Sequence, residues 1–313
     1  MTKKYAFGVD IGGTTVKMGL FDEEGTVLEK WEIPTNTENH GSAVLPDIAA
    51  EIEAKSAEKN IAKEDICGIG VGVPGPVDRH GNVLGCVNLG WKEFNVEETL
   101  GEMTGLKVCA GNDANVAALG EMWKGGGKGH ESIVMVTLGT GVGGGVIIDG
   151  HILAGANGAA GEIGHMPVNK HETECCGCGK KGCLEQYASA TGIARMARQK
   201  LAQTECETML REIPDVTAKD VFDAAKNGDA VSLELVEELG ERLGTALARI
   251  GAVCNPEAFV IGGGVSKAGT ILTDVITKYY HEVAFHAMTD TPIVLAELGN
   301  DAGIYGCVRM VLS

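Results

Sequence analysis

Short apolar runs alternate along the chain with longer segments in which apolar residues recur every three or four positions. The first kind of segment predicts buried strands, and the second predicts amphipathic helices. Strands are predicted at 5–10, 15–21, 66–75, 106–113 and 258–265, and helices at 43–59, 186–202, 218–226, 230–253 and 301–312. Because strands alternate with helices, the pattern predicts an α/β fold.

A strand, a Gly/Thr turn and a second strand occur twice in the sequence. The first copy is YAFGVDIGGTTVKMGLFDEEG (5–25), and the second is IVMVTLGTGVGGGVIIDG (133–150). Asp10 and Asp22 of the first copy correspond to Thr137 and Asp149 of the second at the same offset. This repetition predicts two halves of related design, each presenting a Gly/Thr turn to a phosphate-bearing ligand.

Length and charge narrow the class of protein further. The 313 residues suffice for about two domains, since domains average roughly 150 residues. A net charge of −17 disfavours nucleic acid and membrane surfaces as partners, because both are anionic. No apolar run has the length of a signal peptide or a membrane span, so we expect a cytoplasmic protein.

Three glycine-rich turns follow predicted strands, at Asp10–Thr14, Leu138–Gly141 and Gly262–Gly264. Backbone N–H groups in such turns form concave anion sites, and the small residues let phosphates approach. Asp10 stands at a strand end, where a carboxylate can contact Mg²⁺ directly or through water. The alternative is that these are ordinary hairpin and helix-cap glycines.

A cysteine-rich segment carries the strongest local signal. His165, Cys176, Cys178 and Cys183 form a Cys₃His set of the kind that closes a tetrahedral structural zinc site. Cys175 is then either a spare thiol or a rival ligand. The alternative is a cluster of reduced cysteines without a metal.

Two acidic residues flank these metal-ligand candidates. Glu162 precedes His165 by three residues, and Glu185 follows Cys183 by two. A metal would hold both carboxylates and the imidazole in one small volume, with one imidazole nitrogen left to donate to a neighbour. We expect a polar pocket suited to hydroxyl groups there. The alternative is that Glu162 or Glu185 is a solvated surface acid.

Asn112 and Asp113 stand where a predicted strand meets a helical pattern. Asp113 is either the N-cap of that helix or a general base that accepts a proton from a hydroxyl attacking phosphorus. If Asn112 is the cap, Asp113 is available for the second role.

Seven motifs together resemble the ROK family of sugar kinases and repressors, and most closely its bacterial glucokinases. They are DIGGT (10–14), GVPGPVD (72–78), GNDAN (111–115), TLGTGVGGG (137–145), GEIGHMPV (161–168), CGCGKKGCLEQY (176–187) and VIGGGVS (260–266). The resemblance spans nearly the whole chain. It implies a two-domain, actin-like ATPase fold of the hexokinase type, with the active site in the interdomain cleft. We expect a small N-terminal α/β domain, 1–120 plus 300–313, and a larger C-terminal domain, 121–299, with a zinc-binding insertion.

The resemblance also implies roles for individual residues. Asp113 corresponds to the catalytic base, and Asn112, Glu162, His165 and Glu185, with Asp113, to the sugar contacts. The structural Zn²⁺ ligands correspond to His165, Cys176, Cys178 and Cys183. The ATP contacts correspond to Gly12, Gly13, Thr14, Thr140, Gly141, Gly263 and Gly264. Asp10, by its place at a strand end, is the expected contact to the Mg²⁺ of the nucleotide. Cys175 lies outside the family pattern.

The implied reaction is ATP-dependent phosphorylation of the 6-hydroxyl of glucose by a homodimeric enzyme. One alternative is a kinase for another hexose, such as N-acetylmannosamine or fructose. A second is a sugar-responsive repressor. Repressors of this family carry a DNA-binding domain ahead of the first glycine turn, which here begins at residue 10, and the net charge of −17 further disfavours DNA binding.

Overall fold

Two five-stranded sheets organise the chain in the computed structural model, which describes residues 4–313. The strands are β1 Tyr5–Ile11, β2 Thr15–Asp22, β3 Val27–Pro34, β4 Ile66–Val73, β5 Asn82–Val83, β6 Phe94–Asn95, β7 Val108–Asn112, β8 Ile133–Leu138, β9 Val142–Ile148, β10 His151–Ile152, β11 Ala258–Gly262 and β12 Ile293–Leu295. The α-helices are α1 Glu38–Gly41, α2 Val44–Glu58, α3 Val96–Thr104, α4 Asp113–Lys124, α5 Glu185–Ala188, α6 Ala190–Gln203, α7 Ala218–Lys226, α8 Ala230–Cys254, α9 Thr270–Val283 and α10 Ala302–Leu312. The predicted α/β class is confirmed.

The first sheet has the order β3-β2-β1-β4-β7. β1 pairs antiparallel with β2 and parallel with β4, and β4 pairs parallel with β7. β1 and β4 are buried along almost their whole length, which explains why their sequences are apolar apart from Asp10 near the end of β1. Their carboxyl ends place Asp10 opposite Gly72, while the end of β7 presents Asn112.

The second sheet has the order β10-β9-β8-β11-β12. Within it, β8 pairs parallel with β11 and β11 pairs parallel with β12. Counted within each sheet, the strand order is the same in both. This agrees with the prediction of two halves of related design.

Two compact units divide the chain. The first contains the described residues up to Gly129, together with Gly145–Gly161 and Asn300–Ser313, and the second contains His130–Gly144 and Glu162–Gly299. Compared with the predicted ranges of 1–120 plus 300–313 and 121–299, the first unit also includes 121–129 and Gly145–Gly161. Among residues 4–313, every helix is too short or too polar to traverse a bilayer.

Helices α4 and α10 cross at very short range inside the first unit. A Cβ on Gly120 would collide with the carbonyl of Ala302, and one on Gly306 would collide with the carbonyl of Val116. Only glycine permits this approach of the two backbones. The crossing places the first turn of α10 close to the carboxyl ends of β1 and β4.

Candidate active site

The turn after β1 holds the first group of predicted nucleotide contacts, Gly12, Gly13 and Thr14. Gly12 N–H donates to the carbonyl of Thr15 at 3.0 Å, which closes the turn. Thr35 secures it from the side, because its hydroxyl donates to the Gly12 carbonyl at 2.8 Å and its N–H donates to the Thr14 carbonyl at 2.9 Å. Open space faces the Cα of Gly13. The turn is therefore fixed in shape and accessible at its tip.

Asp10 lies beside this turn in an environment that resists its ionisation. Burial raises the pKa of the Asp10 carboxyl from 3.8 to about 6, against the lowering effect of Lys17, and the negative charge of Asp113 raises it further. A bound cation would reverse this effect, since it favours the ionised form. The pKa and the position of Asp10 suit a carboxylate that faces Mg²⁺.

Asn112, and not Asp113, is the N-cap of α4. The Asn112 side-chain oxygen accepts from the N–H groups of Ala114 and Asn115 at 3.1 and 3.2 Å. Its side-chain amide donates to the Gly75 carbonyl and to Asp113 Oδ1, at 3.2 and 2.9 Å. Asp113 is the first residue of α4, and its Oδ1 also accepts from Ala114 N–H at 2.8 Å. The N-cap interpretation of Asp113 is wrong, because Asn112 occupies the cap.

The four predicted metal ligands come together in the second unit. One ligand atom from each of His165, Cys176, Cys178 and Cys183 lies within 4.8 Å of all the others. Cys178 Sγ is 3.6 Å from Cys183 Sγ, and Cys176 Sγ is 3.8 Å from His165 Nδ1. Ligands about 2.3 Å from a tetrahedral zinc ion are separated by roughly 3.8 Å, so the spacing fits such a site.

The two nitrogens of His165 face different partners. Nδ1 faces Cys176, whereas Nε2 lies 3.8 Å from Glu162 Oε2. Cys175 is exposed and lies outside the four-residue cluster. Burial and the neighbouring thiols raise the pKa of Cys183, and a cation bound by the cluster would favour its thiolate form.

Glu185 joins the metal-ligand cluster to the glycine turn after β8. Its Oε2 accepts from Val142 N–H at 3.0 Å, and its Oε1 accepts from Cys176 Sγ at 3.4 Å. A Cβ on Gly141 would collide with the Glu185 carboxylate. Glu185 is half-buried and well partnered, whereas Glu162 is mostly exposed, with 62% of its side chain accessible.

The remaining predicted nucleotide contacts lie around the second glycine turn and the start of the segment after β11. The carbonyl of Thr140 accepts from the Thr191 hydroxyl at 2.7 Å. Gly263 has φ 84°, and a Cβ there would strike the backbone of Leu138, so glycine is required. Gly264 borders a cavity of about 340 Å³ whose other lining residues include Phe222 of α7 and Lys267.

A polar network braces the segment between His165 and Cys176. Tyr187 O–H donates to Glu172 Oε2 at 2.6 Å, and Arg195 Nη2 donates to the same oxygen at 2.8 Å. The guanidinium groups of Arg195 and Arg242 lie 5.4 and 5.1 Å from the centroid of the Tyr187 ring. Sequence reasoning missed this network, since no motif joins residues so far apart in the chain.

The architecture is that of the actin-like ATPase fold of the hexokinase type, as predicted. The ROK family model matches residues 6–313, and the chain belongs to the ROK family.

Within that family, the chain is similar to bacterial glucokinases. It is 43% identical over 98% of its length to a glucokinase from Halalkalibacterium halodurans, of which 94% is covered. It is 38% identical over 99% of its length to a glucokinase from Thermotoga maritima, of which 98% is covered. A crystal structure of a ROK family glucokinase from Streptomyces griseus in complex with glucose and AMPPNP shares 33% identity with a TM-score of 0.74, and 98% of each chain is covered.

Proposed function

We propose that this protein phosphorylates the 6-hydroxyl of glucose with ATP. The observation that carries the proposal is its similarity, over nearly the whole chain, to glucokinases from several bacteria. The crystal structure from Streptomyces griseus, with its bound glucose and AMPPNP, supports the same pair of substrates.

Asp113 is the proposed base. It is the first residue of α4, and Asn112 both caps that helix and donates to Asp113 Oδ1. This arrangement orients the carboxylate before substrate binds. A carboxylate so placed accepts the proton of the sugar hydroxyl as the hydroxyl oxygen attacks the terminal phosphorus and the bond from that phosphorus to the leaving diphosphate breaks.

Asn112, Glu162, His165 and Glu185 are proposed to bind the sugar hydroxyls together with Asp113. Glu185 is held by Val142 N–H and lies against Cys176, so its position depends on the order of the cysteine segment. Hydroxyl-reading groups held in this way reject analogues that leave buried polar atoms unpaired.

The metal-ligand cluster is proposed to hold Zn²⁺ through His165 Nδ1 and the sulfurs of Cys176, Cys178 and Cys183. A closed Cys₃His site supplies folding energy and no open position for chemistry. The proposed role of this cluster is to hold His165 and the neighbouring Glu185 in position.

The three glycine turns and Asp10 are proposed to bind ATP with its Mg²⁺. When bound with the nucleotide, Mg²⁺ would neutralise negative charge on the phosphates. In the second unit, the cavity beside Gly264 is large enough for a nucleoside, and Phe222 and Lys267 in its wall offer an apolar surface and a positive charge. The turn with Gly12 and Thr14 offers backbone N–H groups to phosphate.

A coupled assay over a panel of hexoses and phosphoryl donors tests the proposal. With ATP, we expect kcat/KM for glucose to exceed that for its epimers, for fructose and for N-acetylmannosamine, by up to ~10⁴-fold where a required hydroxyl contact is lost. Faster turnover of N-acetylmannosamine than of glucose would identify a kinase of different sugar specificity. Absence of phosphoryl transfer to every hexose would refute the proposal.

A further inference from the structure

The carboxylate of Asp10 lies in a slot between two glycines from different parts of the chain. Gly72 of β4 is its register partner across the parallel pair β1–β4. A Cβ on Gly72 would lie 3.3 Å from Asp10 Oδ1. On the other side, a Cβ on Gly303 of α10 would lie 2.5 Å from Asp10 Oδ2 and 2.6 Å from Cγ. The two walls therefore confine opposite oxygens of the same carboxylate.

Glycine at position 303 is otherwise unfavourable. Gly303 lies near the start of the 11-residue helix α10, where glycine costs up to about 1 kcal/mol relative to alanine. It has no positive φ that would require glycine. The contact with Asp10 is the observation that accounts for it, because any side chain at 303 would occupy the space of the carboxylate.

Helix α10 also contacts the element that carries the proposed base. Three residues after Gly303, Gly306 lies against the carbonyl of Val116, which is in the first turn of α4, the helix that begins at Asp113. The charge of Asp113 in turn acts on Asp10. One face of α10 is thus packed against Asp10, through Gly303, and against the helix that begins at Asp113, through Gly306.

We infer that Gly303 is a positioning residue for the proposed phosphoryl transfer, and that the missing side chain at 303 sets where the Asp10 carboxylate meets the nucleotide-bound Mg²⁺. The inference rests on the proposed function for the role of Asp10. It adds a residue that acts through the position of another side chain. A displacement of about 1 Å in a catalytic arrangement can lower the rate by ~10²-fold.

The test is Gly303→Ala, with Gly101→Ala in α3 as the matched control. Both substitutions add one methyl group to a helix of the first unit, but a Cβ on Gly101 meets its nearest atom, the Leu106 carbonyl oxygen, at an ordinary 3.5 Å. Three quantities are measured for each protein: kcat with glucose and ATP as a function of Mg²⁺, glucose affinity by calorimetry, and AMPPNP affinity by calorimetry with and without Mg²⁺.

For Gly303→Ala we expect a kcat lower by ~10²-fold and a Mg²⁺-dependent gain in AMPPNP affinity reduced by about 10-fold. Glucose affinity and AMPPNP affinity without Mg²⁺ should stay within about twofold of the control, which itself should behave as wild type. A general loss of structure would lower all affinities together, so the selective loss distinguishes positioning from folding.

A folded Gly303→Ala protein with control-like kcat and Mg²⁺ dependence would overturn the inference, as would an equal loss of glucose and nucleotide affinity. If Gly303→Ala does not fold, Gly72→Ala replaces it in the test, because a Cβ there lies at a longer distance from the other oxygen of Asp10. This variant must show the same selective loss of kcat and of Mg²⁺-dependent AMPPNP affinity, to a smaller extent. A wild-type protein that binds Mg²⁺–AMPPNP but phosphorylates no hexose would reject the proposed function, while the binding comparison would still decide the inference.

Discussion

Asn112 caps helix α4, and its side-chain amide donates a 2.9 Å hydrogen bond to Oδ1 of Asp113, the residue that begins the helix. Capping and proton transfer therefore belong to neighbouring residues. Because the cap is supplied by Asn112, a substitution at 113 can remove the proposed base while the helix terminus stays intact.

Asp113→Asn should lower kcat by at least ~10²-fold, because an amide cannot accept the hydroxyl proton. The amide oxygen can still accept from Asn112 and Ala114, so melting temperature and glucose affinity should change little. Steady-state kinetics and calorimetry measure both. Asp47→Asn, the same change in the first turn of α2, is the control and should keep full activity. An Asp113→Asn protein that keeps its kcat within a small factor of wild type would show that Asp113 is not the base.

Cys178→Ser should remove metal, stability and glucose affinity together, because the four ligand atoms lie within 4.8 Å of one another and act as one site. Metal analysis of wild-type protein purified without added zinc should find about one zinc per chain. Cys175→Ser is the matched control, since Cys175 is exposed and outside the cluster, and it should keep its metal. The zinc assignment fails if metal-free wild type remains equally stable and fully active.

Asp10→Asn should stabilise the protein at neutral pH while it reduces activity. Burial raises the Asp10 pKa to about 6 from 3.8, so the folded state disfavours the ionised carboxylate. Ionisation of Asp10 therefore does not reduce the stability of the folded protein below about pH 4. Its destabilising effect develops as the pH rises through 6. The variant should gain about 3 kcal/mol over wild type at pH 7.5, without Mg²⁺ or nucleotide, and less than about 1 kcal/mol at pH 4. Denaturant titrations at both values measure this; a gain independent of pH would contradict the assignment.

Glu172→Gln should destabilise the protein by about 2–3 kcal/mol at neutral pH, because it weakens a mostly buried pair with Arg195. The hydrogen bond from Arg195 lowers the Glu172 pKa from 4.5 to about 2. That stability is present above the unfolded pKa and is lost as pH falls towards 2, so the gap between variant and wild type should narrow below pH 4.5. Glu174→Gln, at a carboxylate with 56% side-chain exposure, should cost less than about 1 kcal/mol. Equal costs for the two substitutions would argue against the special role of Glu172.

The elements that sequence patterns predict well are those with a marked apolar periodicity. Helix α7 has the predicted bounds, 218–226, and α8 differs from its prediction by a single residue. Strand β3 was not predicted, because it lies at the sheet edge with no fully buried residue and carries three charged side chains, Glu29, Lys30 and Glu32. Helix α9 was also missed, since its Thr, Ile and Val residues have low helix propensity.

Some residues of the candidate site can likewise be predicted from the sequence, and others cannot. The Cys₃His cluster is visible in the sequence because its ligands lie within one short segment, so the spacing alone indicates that they meet. Gly303 is far from Asp10 in the chain, and a glycine in a helix carries no chemistry that a motif would record. Only the packing of α10 against β1 and β4 makes it part of the site. The choice between Asn112 and Asp113 as the cap likewise depended on backbone geometry.

Helix α10 belongs to the first unit but is synthesised last, which matters for folding during translation. Ala6 and Phe21, in β1 and β2, are buried in one cluster with Ile304, Val308 and Val311 of α10. The ribosome synthesises β1 and β2 first and α10 last. This apolar face of the sheet is therefore exposed to solvent during most of translation. A chain terminated shortly before residue 300 therefore leaves apolar residues exposed and Asp10 without its second wall. An exposed apolar face of this kind makes an incomplete chain prone to aggregation.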